Sequence, residues 1–158
     1  MDKNTQQTMF SSKSTDWATP QHFFDQLEER FGPFTLDPCA NASNYKIKNH
    51  YTLEDDGLNK DWGGNKVFMN PPYGRGIKHW IKKAYEEGQK DDTTIVALIP
   101  ARTDTRYWHD YVMNAHAIYF VKGRLKFGNG GNSAPFPSAV IVFKKSDTEF
   151  PKIGVIHT

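Results

Sequence analysis

Two consecutive prolines, Pro71 and Pro72, stand directly behind a short apolar run, Lys66-Val67-Phe68-Met69. The run reads as a buried strand. Neither proline can extend it, because each lacks a backbone N–H and holds φ fixed. The chain must therefore leave the sheet by a rigid turn at the strand's C-terminal end, the edge where open α/β sheets bind ligands. The rest of the pattern points to the same architecture. Thr93 to Pro100 is continuously apolar and rich in β-branched residues, as in a parallel strand covered on both faces. Phe34-Thr35-Leu36 is a short first strand that exits through Asp37-Pro38. Ala117 to Val121, Ala139 to Phe143 and Ile153 to Ile156 read as three more, with room for another short strand from Ile47 to Tyr51. Phe23, Phe24, Leu27 and Phe31 share one helical face, with Thr19 expected as the N-cap, Pro20 as the first helical residue and Gly32-Pro33 as the stop. Ile77, Trp80, Ile81, Ala84 and Tyr85 predict a second amphipathic helix ending at Gly88. Tyr107, Trp108, Tyr111 and Val112 predict a third, capped by Thr103 or Asp104. Strands alternating with helices make this an α/β sandwich with a mostly parallel sheet.

At 158 residues the chain is long enough for one domain with a sizeable core. Residues 1–16 are polar and aperiodic and are expected to be a flexible N-terminal segment, leaving 17–158 as a single domain. Aromatic residues make up 14%, so the core is expected to be built on them. No apolar run is long enough to span a membrane and the N-terminus is no signal peptide. The single cysteine, Cys39, excludes an internal disulfide and fits a reducing cytoplasm. It is read as a small packed residue rather than a nucleophile. The six histidines lack metal-ligand spacing, and no metal is expected. A net charge of +2 does not by itself argue for nucleic acid, so any such binding rests on local patches.

The turn Asn70-Pro71-Pro72-Tyr73 brings together a side-chain amide, proline-flanked carbonyls and an aromatic face. That set suits a planar substrate bearing an NH2 group, with the amide oxygen and a carbonyl accepting its hydrogens and Tyr73 stacking on its ring. Asp37-Pro38-Cys39-Ala40-Asn41-Ala42-Ser43 marks the exit of the first strand. Asp37 there either caps a turn, as Asp before Pro often does, or anchors a ligand. Trp17-Ala18-Thr19-Pro20 precedes the first helix, where an aromatic staple alone would explain it. Together with Asp56-Gly57-Leu58, Trp62 and the late Arg124 and Phe127, these blocks resemble, in order and spacing, the phage-type DNA N6-adenine methyltransferases, a small Dam-like family. The resemblance runs from about Trp17 to Phe143.

The resemblance implies a Rossmann-like class I methyltransferase sandwich. Its cofactor-side half must be abbreviated, because 41–64 is too short for two full βα units. It implies S-adenosylmethionine as cofactor and DNA as partner. Trp17, Thr19 and Pro20 would lie over the methionine part, Asp37 would hold the cofactor's amino group, and Pro38, Asn41 and Asn70 would also line the cofactor site. Asp55 or Asp56 would lie near the adenosine. Asn70, Pro71, Pro72 and Tyr73 would form the catalytic turn around a flipped adenine. The family's first turn usually carries two glycines, replaced here by Asn41 and Ser43; Asn tolerates left-handed backbone, whereas Ser43 is harder to accommodate beside a ligand. Arg75, Arg102, Arg106 and Arg124 are the candidate nucleic-acid contacts, while Lys82 and Lys83 read as a solvated helix face. The Gly/Asn-rich stretch 128–137 is a loop of mobile composition, either closing over the base or simply connecting strands. Cytosine N4-methylation, RNA or protein-amide N-methylation, and a nucleic-acid-binding module with a decayed cofactor site stay open as alternatives. The oligomeric state is also open, with a monomer favoured.

Overall fold

A computed structural model describes residues 18–43, 45–128 and 132–158. The expected flexible segment 1–16, Trp17 and the loop residues 129–131 lie outside the described residues. The elements run α1 (Gln21–Phe31), β1 (Lys66–Met69), α2 (Ile77–Gly88), β2 (Thr94–Pro100), α3 (Arg106–Asp110), β3 (Ala117–Lys122), β4 (Ser138–Phe143) and β5 (Lys152–His157). The five strands form one sheet in the order β1-β2-β4-β3-β5. β1 and β2 pair in parallel, as do β3 and β5, while β4 is antiparallel to both its neighbours. Four strands thus run one way and β4 is reversed, an open α/β sheet of the expected class. Its C-terminal edge gathers the ends of β1, β2, β3 and β5 and the start of β4.

Alternation along the strands sends side chains into two separate cores. Val96 and Leu98 join Phe23, Phe24 and Leu27 of α1, with Phe68, Val140 and Val142, on one face. Ile95, Ala97 and Ile99 join Ile81 and Ala84 of α2, with Trp62, Val67, Trp108, Ile141 and Phe143, on the other. Burying each valine, leucine, isoleucine or phenylalanine side chain among them fully is worth about 1.5–3 kcal/mol. β2 is buried along its length after Thr94, as its unbroken apolar run requires. Trp62 is fully buried and donates Nε1–H to the Gly57 carbonyl at 2.9 Å. Glu87 at the end of α2 is buried too. Burial pushes its carboxyl up, but Lys83 and Lys90 outweigh that and hold it below the ordinary carboxylate range. Glu87 also accepts from the Trp62 backbone N–H, tying α2 to the segment before β1.

Several local expectations are corrected. The first strand is reduced to single parallel bridges, Leu36 to Val67 and Asp37 to His50. Pro33 and Pro38 bracket it, and a proline cannot donate to a ladder. The expected strand from Ile47 to Tyr51 is likewise only its last residues, where Tyr51 donates to the Asp37 carbonyl and Ala40 to the Tyr51 carbonyl. Helix α1 begins at Gln21 with Pro20 at the cap position and no side-chain cap bond, so Thr19 is not its cap. Helix α3 is shorter than expected and is capped by Thr105, which accepts from the Trp108 N–H at 3.3 Å, not by Thr103 or Asp104. A 3-10 turn, Val112–Asn114, follows it.

Candidate functional site

Asn70 stands at the C-terminal end of β1, where the two prolines turn the chain out of the sheet. Pro71 is buried and Pro72 exposed, so the turn is held from one side only. The Asn70 side chain is fixed from two directions. Its Nδ2 donates to Thr19 Oγ1 at 3.0 Å, and its Oδ1 accepts from the Tyr73 hydroxyl at 2.9 Å. An amide oxygen has two lone pairs, so it can take that proton and a second hydrogen. Burial pushes the Tyr73 phenol well above its ordinary range, so the hydroxyl stays protonated as a donor. Its ring is packed edge-on by Phe136 (centroids 5.4 Å apart, 83°) and Phe127 (6.1 Å, 88°).

Asp37 is the second anchor, at the end of the abbreviated first strand and 8% exposed. Oδ1 accepts the Cys39 backbone N–H at 3.1 Å. Burial raises its pKa to about 7, against the lowering effects of that bond and of the His50 and Lys46 charges. A carboxyl in this condition is one that an added cation would ionise. Cys39 beside it is half-buried, with its thiol pushed up by burial first and by Asp37 second. The thiol is therefore held neutral, as a packed residue should be.

Asn41 and Ser43, which stand where the family usually carries glycine, turn the chain without left-handed backbone. Asn41 Oδ1 accepts both the Ser43 N–H at 2.9 Å and the Ser43 hydroxyl at 2.8 Å, closing an Asx turn. Positive φ among the described non-glycine residues occurs at Asp56 and Asp92, not at Asn41 or Ser43. Asp55 is exposed and turned back on its own loop, accepting the Thr52 N–H at 2.8 Å, which holds its carboxyl below the usual range. Asp56 adopts left-handed backbone (φ 55°) and accepts from Asn59. The glycine after it explains the tight approach: a Cβ at Gly57 would lie 2.0 Å from the Pro38 carbonyl oxygen. The Asp-Gly-Leu segment is thus pressed against the Asp37-Pro38 exit.

Pairing across the chain closes the site. Gly128 donates its N–H to the Ala18 carbonyl at 2.9 Å, so the Ala18-Thr19 segment touches the β3–β4 loop on one side and Asn70 on the other. The described residues of that loop are packed more closely than their composition suggests. Phe127, Ala134 and Phe136 are buried, and Ala134 N–H donates to the Leu125 carbonyl at 2.8 Å. Phe136 is a contact of the site that sequence reading missed, and Phe127 was read there only as part of a family block, without a role at the site. The available signal was an aromatic on each flank of the glycine-rich stretch. Of the candidate nucleic-acid residues, Arg75, Arg102, Arg106 and Arg124 are all exposed. The Arg102 guanidinium carbon is 5.9 Å from the Phe136 ring centroid, and Arg124 Nη1 donates to the Ala134 carbonyl at 3.1 Å. Arg75 follows the Asn70 turn directly, and Arg106 opens α3. Among the described residues, no helix is long and apolar enough to cross a membrane and no cluster of three or more potential ligands could hold a metal ion.

Residues 6–152 match the family model described as DNA N-6-adenine-methyltransferase (Dam). The chain is 34% identical over 127 residues to the DNA N-6-adenine-methyltransferase of Haemophilus phage HP1, covering 77% of this chain and 73% of that one. It is 33% identical over 117 residues to the DNA N-6-adenine-methyltransferase of Escherichia phage T1, covering 73% of this chain and 48% of that one.

Proposed function

Because this chain belongs to the DNA N-6-adenine-methyltransferase family, we propose that Asn70-Pro71-Pro72-Tyr73 receives the exocyclic amine of adenine in DNA, with S-adenosylmethionine as methyl donor. The reaction is methylation of adenine N6, and the chain is an enzyme of that class. The observation that carries the site assignment is the doubly held Asn70 amide at the mouth of β1, one turn from an aromatic ring.

When bound, S-adenosylmethionine supplies an electrophilic methyl group on a sulfonium. The donor set fits it: Asp37 is a buried carboxyl that a cationic amino group would ionise, and Pro38 and Asn41 shape the loop beside it. Trp17 and Pro20 belong to the same arm as Thr19, and Asp55 and Asp56 are assigned to the adenosine end through the packing of Gly57 on Pro38. Asn70 Oδ1 and the Pro71 carbonyl accept the two amine hydrogens. An adenine amine is a poor nucleophile because its lone pair is spread into the ring. Two acceptors favour its pyramidal form and expose that lone pair. The nitrogen would turn cationic as it gains the methyl group and the methyl–sulfur bond breaks to leave a neutral thioether, so both acceptors bind it more strongly at the transition state than in the ground state. The extra proton then leaves to solvent. Tyr73, braced by Phe127 and Phe136, offers its ring to the base, which must leave the stack to reach Asn70. Arg75, Arg102, Arg106 and Arg124 contact the phosphate backbone.

Transfer of labelled methyl from S-adenosylmethionine to unmethylated DNA, followed by nucleoside analysis, tests the reading. N6-methyladenine is the expected product. Asn70→Ala should lower turnover by at least about a hundred-fold, the scale of a lost transition-state acceptor, with the fold retained by circular dichroism. Full activity in that variant would remove Asn70 from the mechanism.

A further inference from the structure

We propose that Thr19 is a positioning residue for the reaction: its hydroxyl anchors the Asn70 amide nitrogen and so keeps the amide oxygen turned to the substrate. The inference rests on the assignment of Asn70 as the amine acceptor. It goes beyond placing the Trp-Ala-Thr-Pro arm at the cofactor.

Three observations carry it. Thr19 Oγ1 accepts the Asn70 Nδ2–H at 3.0 Å across 51 residues of sequence, from a side chain 5% exposed. An amide N–H buried without an acceptor is costly, so the hydroxyl favours the rotamer that places nitrogen toward Thr19 and oxygen on the opposite side. The hydroxyl is not spent on the helix that follows. Helix α1 starts without a side-chain cap, although a threonine just before Pro20 stands where a cap would be expected. The arm is also clamped from behind, where the Ala18 carbonyl accepts the Gly128 N–H at 2.9 Å. Thr19 is therefore a fixed point against which the amide is set, not a mobile side chain that happens to reach it. The Tyr73 hydroxyl, 2.9 Å from Asn70 Oδ1, sits on the side to which the oxygen is turned.

The test compares Thr19→Val, which keeps the shape and loses the acceptor, with Thr19→Ser, which keeps the acceptor and loses a methyl. Turnover on DNA is measured beside S-adenosylmethionine affinity by calorimetry and thermal unfolding. The expected result for Thr19→Val is a fall in kcat of about ten-fold or more, the scale of one buried hydrogen bond, with cofactor affinity changed by less than about two-fold. Thr19→Ser should retain most of the wild-type kcat. A second arm repeats Thr19→Val in an Asn70→Asp background. A carboxylate presents an oxygen in either orientation, so there the valine should cost less than about three-fold. Undiminished kcat in Thr19→Val overturns the proposal. So does an equal loss in the valine and serine variants, or the same loss from the valine in the wild-type and Asn70→Asp backgrounds, since a packing or cofactor role predicts those. Should the Asn70→Asp enzyme have no turnover, the serine-to-valine ratio at constant cofactor affinity decides. A wild-type enzyme that transfers no methyl to DNA would instead overturn the assignment of Asn70 on which the proposal rests.

Discussion

A single buried carboxyl gives the site its clearest dependence on solution conditions. Asp37 titrates near 7 in the folded chain, raised by burial from an ordinary 3.8, while Cys39 N–H, His50 and Lys46 pull the other way. The folded state therefore holds a proton that the unfolded chain releases between about pH 4 and 7. The contribution to stability is fully present below pH 4 and is lost as pH rises through 7. A cation in the pocket reverses the balance, because it favours the ionised carboxyl. S-adenosylmethionine affinity should then rise about five-fold between about pH 6 and pH 7.5, following the ionised fraction of a group titrating near 7, and level off towards pH 8 as the cofactor's own α-amino group loses its proton. Calorimetric titration across that range checks it. Asp37→Asn should flatten the profile and weaken binding, while raising the urea midpoint at pH 8, because the neutral amide carries no burial penalty for charge. A flat profile in the wild type would mean that Asp37 does not meet the cofactor's positive charge. Thr19 and Asn70 make a different point at this scale: each is an ordinary polar residue until the fold sets them 3.0 Å apart.

Among the elements, the segment from Leu53 to Asn59 has most effect for its size. Its Gly57 lies so close to the Asp37-Pro38 exit that a methyl group would overlap the Pro38 carbonyl oxygen at 2.0 Å. Gly57→Ala should cost about 1–3 kcal/mol by overpacking and weaken cofactor binding through displacement of Asp37. Gly76→Ala is the control. Its Cβ would meet nothing within 4 Å and its φ of −74° is helical, so a gain of about 0.4–1 kcal/mol is expected there. Urea denaturation of the two variants reads both. These elements also show how far the sequence could be read. Helices α1 and α2 were legible to within a residue, because their apolar periodicity and glycine stops are local signals. β2 was legible from its unbroken apolar run. The reversal of β4 was not, because Ser138 to Phe143 is buried throughout and such a run carries no record of strand direction. The contiguous parts of the site, Asn70 to Tyr73 and Asp37 to Asn41, could be picked out as motifs. The Thr19–Asn70 bond and the packing of Phe127 and Phe136 on Tyr73 could not, since they depend on which strand ends the sheet brings together.

Over the whole molecule, the sheet sorts a nearly balanced charge into two unlike edges. The chain carries 20 basic and 18 acidic residues, a net of only +2. At the edge where β2 begins and β4 ends, lysines and carboxylates meet one another: Lys83 and Lys90 on Glu87, Lys90 on Asp61, and Lys145 on Asp91. At the opposite edge, Arg75 follows β1, Arg102 and Arg106 follow β2, and Lys122, Arg124 and Lys126 end or follow β3. All are exposed, and none pairs with a carboxylate among the described residues. The C-terminal edge that carries Asn70 therefore holds six basic side chains without a carboxylate partner among the described residues, beside the exposed Asp104. Such an edge draws DNA by releasing condensed counterions, which makes binding depend steeply on salt. Arg102→Ala should weaken binding to unmethylated duplexes about equally for all sequences and reduce the slope of log affinity against log salt by about one. Lys145→Ala, at the neutralised edge, should leave both affinity and slope unchanged. Fluorescence anisotropy over a salt series reads both. An unchanged slope for Arg102→Ala, or an equal effect of Lys145→Ala, would mean that DNA approaches another surface than the edge that carries these arginines.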